Sequence, residues 1–208
     1  MSSAAKHTGV TLDWDVRACS MEPGAPAGDA YVVRECDAGT LLAVIDGEGH
    51  GEPARRSAVA ASRILEAHAG EPLERLISFC HEALGGSRGA AITLGWFPNC
   101  HSHVEWLGVG DVEGWIIRAH GERANRYKSV ALRNGLVGYR VPPLRPAVVE
   151  LEPRDLLIFA TDGINLDFAD RVDVRRKPGL IANDILDHSL KGTDDALVLV
   201  ARYGRAGE

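Results

Sequence analysis

Short apolar runs that stop on a glycine, a proline or an acidic residue recur along the chain and predict buried strands. The clearest run, residues 41–45 (LLAVI), is too short for a helix and is followed at once by the glycine-rich turn DGEGHG. A similar run at 156–160 ends on Thr-Asp-Gly, and residues 196–201 predict a closing strand directly after two aspartates. The pattern therefore places acidic residues at the ends of several strands.

The first strands are expected to form a hairpin. Residues 29–33 (DAYVV) are β-prone, and the turn residues 37–39 separate them from the run at 41–45. A hairpin of this kind would bring Asp29 and Asp46 to the same end of a sheet. Upstream of it, the composition of residues 23–28 (PGAPAG) predicts a loop.

Helices are predicted after the DGEGHG turn. Proline is tolerated in a first helical turn, and from Pro53 apolar residues recur at helical spacing up to Gly70. A second apolar stripe opens at Pro72 and stops at the glycine pair 85–86, which is a C-terminal stop signal. These two helices are expected to pack together on a sheet, and a third helix is expected over residues 180–190.

The strand pattern of the remaining sequence favours an α+β fold. Residues 90–149 carry short β-prone runs separated by Gly, Pro, Asn and His, which predicts an antiparallel meander. Consecutive strands with few crossover helices favour α+β over a parallel α/β sheet. A length of 208 residues is enough for one substantial core and short for two, so we expect residues 1–208 to form a single domain.

The composition and net charge limit the kinds of binding partner that we expect. The 45% hydrophobic and 25% charged residues are typical of a soluble globular protein, and no apolar stretch approaches the roughly 20 residues that cross a bilayer. Because the N-terminal residues lack a signal-peptide pattern, we expect a cytoplasmic protein without a membrane partner. A net charge of -6 without Lys or Arg runs indicates no nucleic-acid partner, and favours a protein or small molecule.

The cysteines form no CxxC pair, so we expect free thiols rather than disulfides or a structural zinc site; they are Cys19, Cys36, Cys80 and Cys100. The segment NCHSH offers an alternative, a soft-metal site of Cys100, His101 and His103. Consecutive residues in a turn rarely supply a full tetrahedral ligand set, which favours free thiols.

Acidic residues at the predicted strand ends are the candidate chemistry; they are Asp29, Asp46, Asp162 and the pair Asp194-Asp195. Carboxylates gathered within a few ångströms repel one another unless cations hold them together. Hard oxygen ligands without a matching set of His or Cys favour Mg²⁺ or Mn²⁺, and indicate a two-metal hydrolytic site. Taken singly, each aspartate has an ordinary alternative as a turn residue or helix N-cap.

The joint order of these motifs resembles the metal-dependent serine/threonine protein phosphatases of the 2C type, in their bacterial SpoIIE-like branch. The motifs are GDAY at 28–31, DGEGHG at 46–51, ATDGI at 160–164 and DDAL at 194–197. The short span before the last motif and the stretch NGLVGYRVPPL are most similar to the stand-alone RsbX type. That resemblance implies phosphorylated STAS-domain proteins of the stressosome as substrates.

The resemblance also implies a fold and a set of roles. The fold would be a central antiparallel β-sandwich flanked by α-helices, with the metal centre at one end. Asp46 would bridge two Mn²⁺ or Mg²⁺ ions, and the Gly47 carbonyl would bind one of them. Asp162 and Asp194 would hold the other, and Asp29 would contact a metal directly or through water. Asp111 would bind a possible third, weaker ion, with a plain hairpin turn as its alternative.

Three positions depart from the family pattern. In eukaryotic-type members the motif histidine lies two residues after the bridging aspartate, where this chain has Glu48; the candidate general acid here is His50, whose alternative role is capping the following helix. Leu197 stands where a threonine is usual. No arginine matches the phosphate-binding arginine of the eukaryotic branch, so substrate anchoring is expected to rest on the metals.

The predicted mechanism is in-line attack on phosphoserine or phosphothreonine by a water whose pKa two metals lower, with Asp46 and His50 as the catalytic candidates. Two alternatives stay open. A catalytically silent 2C-like module would bind a phosphoprotein or scaffold without hydrolysing it. A haloacid-dehalogenase-type hydrolase would use Asp46 as nucleophile and Glu48 as the second carboxylate, which would leave the other aspartates without a role.

Overall fold

The computed structural model describes residues 9–21, 24, 26–120 and 126–205. Of the loop predicted at 23–28, residues 23 and 25 lie outside this described part. The strands are, in chain order, β1 (Val10–Cys19), β2 (Asp29–Cys36), β3 (Gly39–Gly47), β4 (Ala90–Pro98), β5 (His103–Val109), β6 (Glu113–Ile117), β7 (Tyr127–Ser129), β8 (Leu132–Arg133), β9 (Ala147–Glu150), β10 (Leu156–Ala160) and β11 (Ala196–Arg205).

The helices are α1 (Gly51–His68), α2 (Leu73–Ala83) and α3 (Pro178–Ser189), with a 3₁₀ helix at Leu166–Arg171. All three predicted helices are confirmed. Prolines lie at the start of α1 and α2 as expected, in the first turn of α1 and at the N-cap of α2. The third helix begins two residues before its predicted start, at Pro178. No helix among the described residues is long and apolar enough to cross a membrane.

The strands form two sheets that pack face to face. One sheet is five-stranded, in the order β1-β11-β10-β6-β7. The other is six-stranded, in the order β2-β3-β4-β5-β8, and its sixth strand, β9, also pairs with β5. Neighbouring strands are antiparallel except β5 and β8, which are parallel. The predicted α+β sandwich and the hairpin of β2 with β3 are therefore confirmed.

Three apolar cores hold the layers together. Between the sheets, Trp106 and Phe97 of one sheet pack with Phe159 and Tyr203 of the other, all at most 1% exposed. A second core lies between the six-stranded sheet and the helices α1 and α2, and includes Leu65. A third lies between the five-stranded sheet, α3 and the 3₁₀ helix. Every residue of the run at 41–45 is apolar because successive side chains pack alternately into the second and the first of these cores.

The prediction that residues 90–149 form one continuous antiparallel meander is wrong. β5 pairs with β4 in one sheet, whereas β6 pairs with β10 in the other, so the chain crosses between sheets at residues 110–112. β1 was not predicted, although it pairs with β11 along its full length. Its polar residues Asp13, Asp15 and Arg17 interrupt the continuous apolar run that marked the buried strands.

Candidate metal centre

Two of the predicted metal ligands lie side by side on the hairpin. Asp29 is the first residue of β2, and its register partner on β3 is Asp46. β3 is buried from Gly39 to Ile45, and Asp46 is the first residue of the strand that is partly exposed. The strand's apolar run therefore positions the carboxylate at the point where the chain leaves the core.

Two further predicted ligands, Asp162 and Asp194, lie at the edge of the opposite sheet. β10 ends at Ala160, which pairs with Val198 of β11, so Asp162 after β10 and Asp194 before β11 lie at the same edge. Among the described residues, Oδ1 of Asp162 is buried and has no hydrogen-bond partner. An orphaned carboxylate oxygen of this kind is costly unless a cation or water reaches it.

The carboxylates are close enough to perturb one another. Burial raises the pKa of Asp46 to about 9, and repulsion from Asp29, Asp162, Asp111 and Asp194 adds to this rise. Each pKa shift in this direction means that the folded chain disfavours the charged carboxylate. Positive charge at this edge would relieve both causes.

Asp29 and Asp162 show the same behaviour. Burial raises the pKa of Asp29 to about 7, a hydrogen bond from Thr161 opposes the rise, and Asp195 adds to it. Burial also raises the pKa of Asp162, followed by repulsion from Asp111 and Asp194. The predicted acidic residues therefore share one electrostatic environment, drawn from both sheets.

Asp111 reaches this environment from the crossover between the sheets. It lies between β5 and β6, which belong to different sheets, so the alternative of a plain hairpin turn is wrong. Its charge contributes to the raised pKa of Asp46, Asp162 and Glu113. Asp111 is exposed, so it belongs to the solvent-facing rim of the acidic cluster, whereas Asp29, Asp46 and Asp162 are partly buried.

Gly47 is required by close approach of the chain. A Cβ at this position would collide with the carbonyl of Ala54 in the first turn of α1. The Gly47 amide donates to the Gly28 carbonyl at 3.2 Å, and the Glu48 amide donates to the Gly89 carbonyl at 3.1 Å. The turn after Asp46 is thereby fixed against both the start of β2 and the segment before β4.

His50 occupies the N-cap position of α1, with extended backbone angles. Its side chain is exposed, and it makes no capping hydrogen bond to the described helix. His50 lies four residues from Asp46 on the same turn. Its predicted role as general acid stays a prediction.

This two-sheet architecture and the acidic edge can be compared with known proteins. Residues 37–204 match the family described as Stage II sporulation protein E, SpoIIE. The chain belongs to the SpoIIE family. The predicted relationship to the bacterial phosphatases of the 2C type is therefore confirmed.

Individual relatives of this SpoIIE-family domain extend the comparison. Phosphoserine phosphatase RsbX of Bacillus subtilis (strain 168) is 23% identical over 84% of this chain and 86% of its own. A solved chain from work on the bacterial stressosome as a modular system adapted to control secondary messenger signaling is 27% identical. It has a TM-score of 0.83 over 92% of this chain and 100% of its own.

A crystal structure of RsbX in complex with magnesium has a TM-score of 0.82 and 21% identity. The similarity covers 93% of this chain and 96% of the RsbX chain. That related structure therefore holds a hard divalent cation, the class of cofactor expected from the sequence. The donors predicted for the SpoIIE-family domain described above, carboxylates and a backbone carbonyl, are oxygens of the kind that such a cation prefers.

Thr161 belongs to the motif at 160–164, but the sequence analysis predicted no role for it. Its hydroxyl donates to Oδ2 of Asp29 at 2.8 Å and accepts from the Leu197 amide at 2.8 Å. Leu197 itself is buried between the sheets, so the hydroxyl usual at that position is replaced by a leucine in the core. Thr161 directly precedes Asp162, but nothing in the sequence indicates that it reaches across to β2.

Asp195 holds the backbone around the site. Its carboxylate accepts from the Met21 amide at 2.8 Å and from the Gly28 amide at 2.6 Å, while its own amide donates to Oδ1 of Asp194 at 2.8 Å. The two neighbouring aspartates therefore differ in function. Asp195 fixes the start of β2, whereas the charge of Asp194 contributes to the raised pKa of Asp46 and Asp162.

The residues fit divalent cations that keep part of their water shell. Within the described part of the chain, no group of three or more His, Cys, Asp and Glu side chains is close enough to hold an ion unaided. Mg²⁺ normally retains several waters and binds through one or two carboxylates, which suits an open cluster. The hard oxygens, the orphaned oxygen of Asp162 and the raised pKa values of Asp29 and Asp46 support the same fit.

The alternative soft-metal site in NCHSH is not formed. The rings of His101 and His103 stack with centroids 5.2 Å apart, and His103 lies 3.6 Å from Glu105. No three-residue ligand group exists there among the described residues. The prediction of free thiols is confirmed for Cys19, Cys36, Cys80 and Cys100.

Proposed function

We propose that this protein is a metal-dependent phosphatase that removes phosphate from phosphoserine or phosphothreonine of a protein. The observation that carries the proposal is the convergence of four carboxylates from two sheets, Asp29, Asp46, Asp162 and Asp194. Burial and mutual repulsion raise the pKa of the first three. Such an arrangement is costly in isolation and useful when cations and a phosphate share the site.

Each carboxylate has a proposed part in holding the ions. Asp46 would bridge two ions, and the Gly47 carbonyl would bind one of them. Asp162 and Asp194 would hold the second, with Asp29 binding directly or through water. Asp111 at the rim would take a third, weaker ion. When bound, Mg²⁺ or Mn²⁺ would lower the pKa of a water and offset the charge of the phosphate.

The chain's own residues orient and confine the reaction. Thr161 fixes one oxygen of Asp29 by its hydrogen bond, which leaves the other oxygen for the site. Hydrolysis requires that water lose a proton and that the serine or threonine oxygen gain one as its bond to phosphorus breaks. His50, exposed at the N-cap of α1, is the candidate donor of that second proton.

For the substrate, we propose phosphorylated STAS-domain proteins of stress signalling in the cytoplasm. The proposal is supported by the similarity to phosphoserine phosphatase RsbX and to a chain from the bacterial stressosome. The net charge of -6 supports a protein partner over nucleic acid.

The test is release of phosphate from phosphorylated STAS-domain proteins with and without Mn²⁺, with the lost phosphate mapped by mass spectrometry. We expect metal-dependent release by the wild type and none by Asp46→Asn. The matched control is Asp37→Asn, in the distant turn between β2 and β3. Equal release by wild type and Asp46→Asn would refute the assignment. Metal binding without release from any phosphoprotein would favour the silent module.

A further inference from the structure

The loop between α2 and β4 brings an arginine to the turn that follows Asp46. A Cβ on Gly49 would lie only 2.6 Å from Nη1 of Arg88, so the guanidinium rests directly on this turn. Gly49 also has a φ of +83°, which favours glycine a second time. Arg88 is exposed, and no hydrogen bond or ion pair engages its guanidinium within the described residues.

The backbone that carries Arg88 is held firmly. The Ser87 hydroxyl donates to the Leu84 carbonyl at 2.7 Å and accepts from the Gly89 amide at 3.0 Å. The Gly89 carbonyl in turn accepts from the amide of Glu48. Because residues on both sides of Arg88 are held by hydrogen bonds, its guanidinium is presented beside the turn that follows Asp46.

Arg88 also lines a groove with a second arginine on the other wall. The groove encloses about 480 Å³ between α1, which contributes Arg56 and Ser57, and the segment at 83–88. Arg56 forms an ion pair with Glu52 at 3.9 Å, and the Arg56 side chain is 68% exposed. An exposed pair at this distance is weak, so Arg56 is available to a stronger partner.

We propose that this groove binds an acidic segment of the phosphoprotein next to the phosphorylated residue, with Arg88 and Arg56 pairing with its carboxylates. The inference rests on the proposed phosphatase function and adds a substrate preference to it. An anionic substrate approaches a chain of net charge -6 and a cluster of carboxylates, so fixed cations beside that cluster favour its docking. Arginine pairs with carboxylates through two parallel hydrogen bonds.

The groove's length sets how far the segment extends. The wall formed by α1 runs from Pro53 to Ala60, which at about 1.5 Å per residue is roughly 10 Å. An extended peptide advances about 3.3 Å per residue, so about three residues fit along it. The acidic residues that the groove binds should therefore lie within a stretch of about three consecutive residues, on one side of the phosphoserine.

The test uses phosphoserine peptides of neutral sequence in which one Glu is moved from position −4 to +4, each matched by a peptide with Gln. With Mn²⁺, we expect the wild type to prefer Glu over Gln in kcat/KM by roughly 3- to 10-fold at one position. Arg88→Ala and Arg56→Ala should each reduce that preference, and the double variant should abolish it. Arg63→Ala, an exposed position farther along α1, is the matched control and should retain it.

Charge reversal gives a sharper result than truncation. Arg88→Glu is expected to shift the preference at the same position from Glu toward Lys, which a general loss of structure would not produce. A wild type that never prefers Glu, or a preference that survives in the double variant, would overturn the proposal.

A binding measurement separates this proposal from the proposed function. Fluorescence anisotropy with the same labelled peptides needs no turnover. Glu-dependent binding that is lost in Arg88→Ala, in a protein that releases no phosphate, would support the groove and contradict the phosphatase assignment. Metal-dependent release without any Glu preference would contradict the groove alone.

Discussion

Replacing Asp46 by Asn should stabilise the metal-free protein while it destroys metal-dependent activity. In the fold the pKa of Asp46 rises from 3.8 to about 9 through burial and repulsion from its neighbours. At pH 7 the unfolded chain carries the charged carboxylate, whereas the folded chain must hold it protonated. The difference of about 3 pKa units between 3.8 and pH 7 costs about 4 kcal/mol at 1.36 kcal/mol per unit.

Asn keeps the shape of the side chain and does not titrate. We therefore expect Asp46→Asn to raise the melting temperature in EDTA at pH 7 by roughly 8–15 °C, since 1 kcal/mol corresponds to about 2–4 °C at this chain length. In Mn²⁺ the order should reverse, because wild type gains the free energy of cation binding and the variant does not.

The pH dependence has a definite sign. The folded state binds more protons than the unfolded state at Asp46 and at Asp29, whose pKa is raised to about 7. Below about pH 4 these two carboxyl groups therefore do not reduce the free energy of unfolding of the metal-free protein. As the pH rises toward 7 to 9, they reduce it progressively. Asp46→Asn should reduce that slope by about 1.4 kcal/mol per pH unit.

Differential scanning fluorimetry in EDTA from pH 5 to 8.5, repeated with Mn²⁺, measures each of these effects. Asp37→Asn serves again as the control that should follow the wild type. The reasoning is refuted if Asp46→Asn is no more stable than the wild type in EDTA and shows the same pH slope.

Further variants test the packing around the centre. Thr161→Val should cost about 1–3 kcal/mol in urea unfolding, since it removes the donor to Asp29 and leaves the Leu197 amide unpaired, and should weaken Mn²⁺ binding in calorimetry. Thr161→Ser is the control that should keep both. Gly47→Ala should displace α1 and lower the melting temperature strongly; a normal melting curve would contradict the collision with Ala54. Phe159→Ala should cost about 3–5 kcal/mol in urea unfolding, and a loss under 1 kcal/mol would contradict its place in the inter-sheet core.

The parts of the site that the sequence predicted are those set by local pattern. Asp46 and Asp162 each follow a buried apolar strand and precede a glycine, so strand and turn together predict where the carboxylate emerges. The helices that begin at Gly51 and Leu73 were predictable to within two residues from Pro53 and Pro72, because proline is tolerated at a helix start. The pairing of Asp29 with Asp46 was predictable because a short turn joins their strands.

The parts that the sequence could not predict depend on contacts between distant segments. The Thr161 hydroxyl reaches Asp29 across 132 positions of the chain, which only the packing of the two sheets brings about. The sequence does not distinguish the crossing at Asp111 from a hairpin turn, because a short polar connection has the same pattern within one sheet and between two sheets. Arg88 comes beside Gly49 because two backbone segments are hydrogen-bonded, and no spacing in the sequence encodes that.

The division of the acidic residues between two sheets has a mechanical consequence. Asp29 and Asp46 belong to one sheet, and Asp162 and Asp194 lie at strand ends of the other, with the Thr161 hydrogen bond between them. Cations shared by the two pairs would resist sliding of one sheet over the other and would slow amide hydrogen exchange at the ends of β3 and β10 alike. Cation affinity and sheet alignment are then reciprocal: whatever holds the sheets in place strengthens cation binding, and bound cations hold the sheets in place.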